Sequence, residues 1–394
     1  MSRVIVAGVG MVPFRKPGQS DAYDVMASNA ARAALADAGL EYERVQQAYA
    51  GFVHADSCAG QAALYHLGAT GIPIYNVNNN CSSGSSAFAL AAQAVAAGAV
   101  DCALAVGFEQ MDRGAIDVAF PHKTSPLARH HRALQRAHGL TDEEMQLPPA
   151  LSMFGCQVEA LEAQGVTAHT LASIVVKARR HAAQSPYAIL REPLTVEEIL
   201  ETPPIFRTMR RLYACPPSCG AAAVVVCNEA FARRHGVRGG VALVGQGVSS
   251  DLPAGFGDDV VDIMLQSLSA NAAAQAYASA GIGPDDVDVI ELHDCFTSNE
   301  ASSYVALGLC KTEEINGFVA AGDNTYGGRY VICPSGGLLA KGHPLGATGL
   351  AQITELTWQL RGEAQGRQVA SARTALQHNV GLGSAGFVHV FQRA

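Results

Sequence analysis

The sequence predicts an α/β protein of two similar halves, each a mixed, largely parallel sheet covered by helices, with a loop-rich lid inserted between them. Three observations carry this expectation. Short, near-continuous apolar runs recur along the 394 residues, the pattern of strands buried on both faces. Long alanine-rich stretches with little charge alternate with those runs, as helices covering a sheet do. The same order of strand and helix occurs twice, on either side of a stretch that breaks the rhythm.

Val4-Ile5-Val6-Ala7-Gly8-Val9 opens the first half as a strand, since it offers no polar face, and residues 22–38 follow as a helix. Gly71-Ile72-Pro73-Ile74-Tyr75 is expected to be a short buried strand. Residues 87–97 are a helix almost free of charge, and Cys102-Ala103-Leu104-Ala105-Val106-Gly107 is a further buried strand. From Met111 to Met209 the rhythm stops, and His130, His131, Arg132, Lys177, Arg179 and Arg180 lie among several prolines. A strand over 220–227 then resumes the pattern, so this lid is nested inside the first half. The second half repeats the plan with a strand at 241–247, a helix at 260–280, a strand at 287–292, a helix at 350–360 and a closing strand at 388–391. The expected domains are residues 1–111 with 210–237, the insertion 112–209, and residues 238–394.

Composition bounds the function. With 49% hydrophobic and 16% charged residues the chain can bury a large core, and its length suits two or three domains. The 10 cysteines include no Cys-x-x-Cys pair and no zinc-finger spacing, so neither a disulfide framework nor a metal is expected, and the compartment is reducing. A net charge of −8 without a basic stripe argues against nucleic-acid binding. No apolar run reaches the roughly 18 residues of a transmembrane helix. The chain opens directly on a strand pattern and ends in Phe391-Gln392-Arg393-Ala394, with no peroxisomal Ser-Lys-Leu and no appended carrier domain. A cytoplasmic, non-exported protein is the expectation.

Cys81 is the most informative residue. It stands in Asn78-Asn79-Asn80-Cys81-Ser82-Ser83-Gly84, between a strand and a helix start. There the macrodipole and unpaired backbone N–H groups favour a thiolate. A buried cysteine acting as a small hydrophobe is the alternative for this segment alone. Three later segments add to it: His293-Asp294-Cys295-Phe296 at a strand end, Gly342-His343-Pro344-Leu345-Gly346-Ala347-Thr348-Gly349 at a helix start, and Gly381-Leu382-Gly383 in a glycine-rich turn expected over 376–386.

These four segments resemble the active-site loops of the thiolase superfamily, and His-Asp-Cys-Phe is similar to its sterol carrier protein branch. The resemblance covers essentially the whole chain. It implies a thiolase-like fold and CoA-dependent cleavage of 3-ketoacyl-CoA, with branched-chain or steroid side-chain substrates favoured by that branch. Cys81 would attack the ketone, His343 would take its proton, and His293 with His343 would donate to the thioester oxygen as the enolate forms. Ordinary thiolases carry a second cysteine in a late Cys-x-Gly turn; the resemblance sets Gly381-Leu382-Gly383 there, so its proton-transfer role passes to Cys295. Backbone N–H groups of Cys81 and Gly383 would form an oxyanion hole. Phe154 would line the acyl site, the insertion would bind CoA and acyl chain, Asp294 would orient its neighbours, and His378 would be structural. CoA is expected as co-substrate with no permanent cofactor, and a homodimer or dimer of dimers as the assembly. Cys219 stands where the family has aspartate, beside the CoA region. Two other readings stay open: a retro-aldol cleaving relative that needs no thiol, and a non-catalytic acyl-CoA or lipid carrier.

Overall fold

The computed structural model describes residues 3–114, 122–237 and 240–393. The expected boundary after residue 237 adjoins residues 238–239, which lie outside the described residues, as do 115–121 of the insertion.

The sheet strands are β1 (Val4–Met11), β2 (Gln47–Gly51), β3 (Ile74–Val77), β4 (Cys102–Glu109) and β5 (Gly220–Asn228), then β6 (Val241–Ser249), β7 (Val289–Glu291), β8 (Val331–Ile332), β9 (Thr374–Gly381) and β10 (Ala385–Arg393). They run in the order β8-β7-β9-β10-β6-β1-β5-β4-β2-β3. β1 joins β6 antiparallel where Val4 and Ile5 face Leu243 and Ala242. Outward from that seam each half repeats one plan. β1–β5 and β5–β4 are antiparallel while β4–β2 and β2–β3 are parallel; β6–β10 and β10–β9 are antiparallel while β9–β7 and β7–β8 are parallel.

The sheet is therefore evenly mixed rather than largely parallel. Burial on both faces makes a strand wholly apolar whichever way it runs, so continuous apolar runs do not report direction. Two further expectations are corrected. The strand expected at 71–75 is β3, three residues later, and it is an edge strand with Tyr75 48% exposed rather than a buried one. The helix expected over 260–280 is broken: Leu265 takes a left-handed φ of +75° between Val260–Ile263 and the helix that starts at Gln266.

The principal helices are α1 (Tyr23–Ala38), α2 (Ser83–Ala96), α3 (Ala128–His138), α4 (Pro149–Ala163), α5 (Ala168–Ala182), α6 (Gln266–Ala280), α7 (Thr297–Ala306) and α8 (Thr348–Arg361). α2 and α8 form the middle layer. Phe88, Ala91 and Val95 meet Leu350, Ile353 and Leu356 in one core with Val6, Ala105, Val224 and Val289 of the strands. All of α8 except Trp358 and Arg361 is buried. α1 covers the outer face of the first half and α6 that of the second, and both use the same device. A Cβ on Gly8 would lie 2.2 Å from Ala34 O, and one on Gly247 would lie 1.9 Å from Ala272 O, so only glycine lets these helices sit so close.

Residues of the expected insertion pack on the second half: Leu134, Met153, Phe154 and Leu171 share a core with Phe296, Tyr304 and Leu338. Lys177, one of its basic residues, is buried and ion-paired with Glu300 rather than facing solvent.

Candidate active site

Cys81 follows β3 and immediately precedes α2. The turn is held by its own side chains: Ser82 Oγ donates to Asn79 O at 2.9 Å, and Ser83 Oγ donates to Asn80 O at 2.7 Å. Asn80, at φ +52°, sends its Nδ2 to Leu382 O at 3.1 Å and so ties this turn to the one between β9 and β10. Backbone N–H groups of Leu382 and Cys81 face the sulfur and favour thiolate, yet burial outweighs them and pushes the thiol up to about 12. The expectation of a ready thiolate is thereby corrected. Cys81 is half-buried as a residue, but the sulfur itself is enclosed, and a charge loses more from lost water than two N–H groups return. A base is required.

His343 supplies one. Its backbone N–H donates to Ser218 Oγ at 3.0 Å. Thr348 Oγ1 donates to Pro344 O at 2.9 Å, so it must accept the 2.6 Å bond from His343 Nδ1–H. Nε2 then carries the lone pair, and it is buried with no partner among the described residues. Burial brings this imidazole down to about 3, which keeps it neutral and able to accept a proton. The segment is anchored by Glu109, whose carboxylate accepts from Val53 N, His54 N and Gly346 N and is raised by burial to about 7.

His293 packs edge-on against His343, with ring centroids 5.0 Å apart. Cys81 Sγ and one ring nitrogen each of His293 and His343 lie within 4.8 Å of one another. His293 Nδ1 is 2.7 Å from Asn379 Nδ2, an amide donor, which leaves the proton on Nε2. A Cys-His-His set also suits a divalent ion, but a protonated Nε2 is not a metal ligand, so these tautomers fit proton chemistry.

Cys295 is buried, and burial holds its thiol well above the ordinary value, with smaller contributions from Cys215 and Cys81. Cys215 is a third thiol here. It is half-buried, its N–H donates to Cys295 O at 2.9 Å, and Ala214 bridges Phe296 beside it. Nothing in its local sequence marks it, nor Ser218, since both reach the site only because the chain returns from the insertion there. Asp294 accepts from Leu338 N at 2.8 Å and Leu339 N at 3.3 Å, and so ties the His293 loop to the segment leading to His343. Phe154 is buried and stacks on Phe296 at 4.5 Å.

The late loop differs from expectation. Residues 374–381 are strand, and only Leu382, Gly383 (φ +91°) and Ser384 form the turn. Alternation along β9 sends Asn379 toward His293 and His378 the other way, to Ser269 Oγ at 3.0 Å. Gly381 has no room for a side chain, because a Cβ would lie 2.1 Å from Asn79 O. The side chain this loop brings to the site is Asn379, in Asn379-Val380-Gly381. Cys219 is buried, its Sγ–H donating to Met111 O at 3.4 Å.

A family model described as "Thiolase, N-terminal domain" matches residues 4–188, and one described as "Thiolase C-terminal domain-like" matches residues 258–393. The chain is 45% identical over 398 residues to "Sterol carrier protein 2" of Oryctolagus cuniculus, covering 100% of this chain and 72% of that one. It is 38% identical to "Non-specific lipid-transfer protein-like 2" of Caenorhabditis elegans over 99% of this chain and 96% of that one. It is 34% identical to "Benzoylsuccinyl-CoA thiolase subunit BbsB" of Thauera aromatica, at 97% and 95%. Human mitochondrial 3-ketoacyl-CoA thiolase superposes with a TM-score of 0.75 at 19% identity over 100% of this chain and 99% of that one, and has also been solved in complex with CoA. An Ltp2-ChsH2(DUF35) aldolase superposes with a TM-score of 0.82 at 22% identity, covering 99% and 98%. These structural likenesses show the fold.

Proposed function

Because the chain belongs to the thiolase family, whose members are acyltransferases that use CoA, we propose that it is a 3-ketoacyl-CoA thiolase working through an acyl-Cys81 intermediate. The observation that carries this reading is the meeting of Cys81 Sγ with ring nitrogens of His293 and His343 within 4.8 Å. His343 Nε2 accepts the Cys81 proton as substrate seats, and the sulfur adds to the 3-keto carbon. The bond between the 2 and 3 carbons then breaks, leaving the shortened acyl group on sulfur and an enolate of the departing acyl-CoA. His293 Nε2–H and the imidazolium of His343 donate to the enolate oxygen, and Cys295 gives its carbon a proton. The CoA thiol gives its proton to the Cys295 thiolate and adds to acyl-Cys81, and backbone N–H groups of Cys81 and Gly383 hold the oxyanion until the Cys81 sulfur leaves and takes its proton back from His343. Donors aimed at charge that appears only in the transition state are worth about 10²- to 10³-fold each.

Substrate enters over Phe154 and Phe296, with the insertion closing on CoA. Branched-chain or steroid side-chain esters are the expected acyl class. We assign the protein to the cytoplasm; no helix among the described residues is long and apolar enough to cross a membrane. The open edge of β3, with Tyr75 exposed beside the Cys81 turn, supports a homodimer or dimer of dimers formed there.

The reading is tested by a cleavage assay with straight, 2-methyl and steroid 3-ketoacyl-CoA esters, with and without free CoA. Cleavage that requires CoA and is lost in Cys81→Ala is the expected result. Cleavage of the corresponding 3-hydroxyacyl-CoA esters without CoA or Cys81, with the 3-keto esters left intact, would replace it with retro-aldol chemistry, and no cleavage of any ester would leave a carrier.

A further inference from the structure

Asn379 makes the hydrogen bond on which the chemistry of His293 depends, and the polarity of that bond can be traced from a fixed end. Gln352 Nε2 donates to two backbone carbonyls, Leu292 O at 2.8 Å and His378 O at 3.2 Å. A carbonyl only accepts, so the Gln352 amide has one orientation, and its Oε1 accepts from Gln377 Nε2 at 2.8 Å. The other proton of Gln377 Nε2 goes to Ser85 Oγ at 2.9 Å. Ser85 in turn donates to Asn379 Oδ1 at 2.8 Å, which points Asn379 Nδ2 at His293 Nδ1, 2.7 Å away. With the Asn379 amide reversed, Ser85 would receive two donors and its own proton would have no acceptor in the relay. Every member is buried, so water offers no substitute.

We infer that Asn379 is a positioning residue that sets the tautomer of His293, keeping its proton on Nε2 as the donor to the thioester oxygen. The inference rests on the thiolase reading for the purpose of that donor, though not for the tautomer itself. It also accounts for the loop: the backbone of Gly381 leaves no space for a thiol, and two residues earlier the strand presents an amide whose partner is a histidine. The relay begins at Leu292 O, next to His293 in the chain, so the loop that needs the donor also fixes the relay that orients it.

The test is ¹⁵N NMR of the full-length protein labelled at histidine, with the His293 signals identified by their loss in His293→Gln. Wild type should show the Nε2–H tautomer. Asn379→Asp keeps the size but can only accept, so the proton should move to Nδ1, with cleavage falling about 10²- to 10³-fold while acetyl-CoA still acylates Cys81. An Nδ1–H tautomer in wild type, an unmoved tautomer in Asn379→Asp, or near-normal cleavage by that variant overturns the inference. Should Asn379→Asp not fold, Ser85→Ala removes the hydroxyl that orients the amide and should give a mixture of tautomers; a single Nε2–H form there equally overturns it. A wild type that never acylates Cys81 would sink the thiolase reading and leave the tautomer to be judged by NMR alone.

Discussion

Cys81 and His343 are both neutral at rest, for one reason: each sits where its charged form has lost water, so the thiol is raised to about 12 and the imidazole lowered to about 3. The proton therefore moves only when substrate supplies a place for the charge. Cys295 is assigned the later proton transfer, so Cys295→Ala should leave acylation of Cys81 measurable. It should also slow both cleavage and the exchange of acetyl-CoA methyl protons with solvent by about 10²- to 10⁴-fold. Near-normal cleavage would move the role to Cys215, which lies against Cys295, and not to His378, which bonds Ser269. Cys81, His293, Cys295 and His343 were legible in the sequence because each sits in a short motif at the end of a strand or the start of a helix. Asn379, Cys215 and Ser218 were not, because partners hundreds of residues away in some cases define their roles: Asn379 acts through Ser85, and Ser218 holds the backbone of His343.

At the scale of elements, apolar runs located β1, β4, β5 and β6 because burial on both faces leaves a continuous signal. β9 was hidden by its polar side chains: Gln377, His378 and Asn379 are buried yet bonded into the relay and to Ser269, and a buried polar strand reads as a loop. The register of β9 against the Cys81 turn is fixed at Gly381, where backbone meets backbone. Gly381→Ala would push on Asn79 O, so it should destabilise the fold by about 1–3 kcal/mol, the usual cost of overpacking, and displace the nucleophile. Urea unfolding and Cys81 acylation should both report it. A variant as stable and as readily acylated as wild type would mean the two loops are free to move apart.

Across the whole molecule, the repeat of one plan about the β1–β6 seam places α2 and α8 back to back in the middle layer, which brings Cys81 ahead of one helix and His343 ahead of the other. Burying catalytic groups there has a cost at low pH. His181, His343, His378 and His389 are held to about 3 and His293 well below its ordinary value, each mainly by burial. Unfolding lets all five take up protons below about pH 6.5, so their contribution to stability is present above that pH and lost as it falls. Glu109, Asp294 and Glu291 are raised by burial and act with the opposite sign, because the folded state keeps their protons up to higher pH. Burial also lowers His54 and His131 and raises Asp262, so seven against four leaves the histidines ahead, and stability in urea should fall from pH 6.5 to 4.5. A flat or rising profile would contradict so many neutral buried imidazoles. The central claim is narrower, and one measurement reaches it: mass spectrometry of peptides after brief mixing with acetyl-CoA. The account predicts an added acetyl group on the peptide bearing Cys81, absent in Cys81→Ala along with turnover; an adduct on Cys295 or Cys215 instead, or cleavage with no adduct at all, would contradict it.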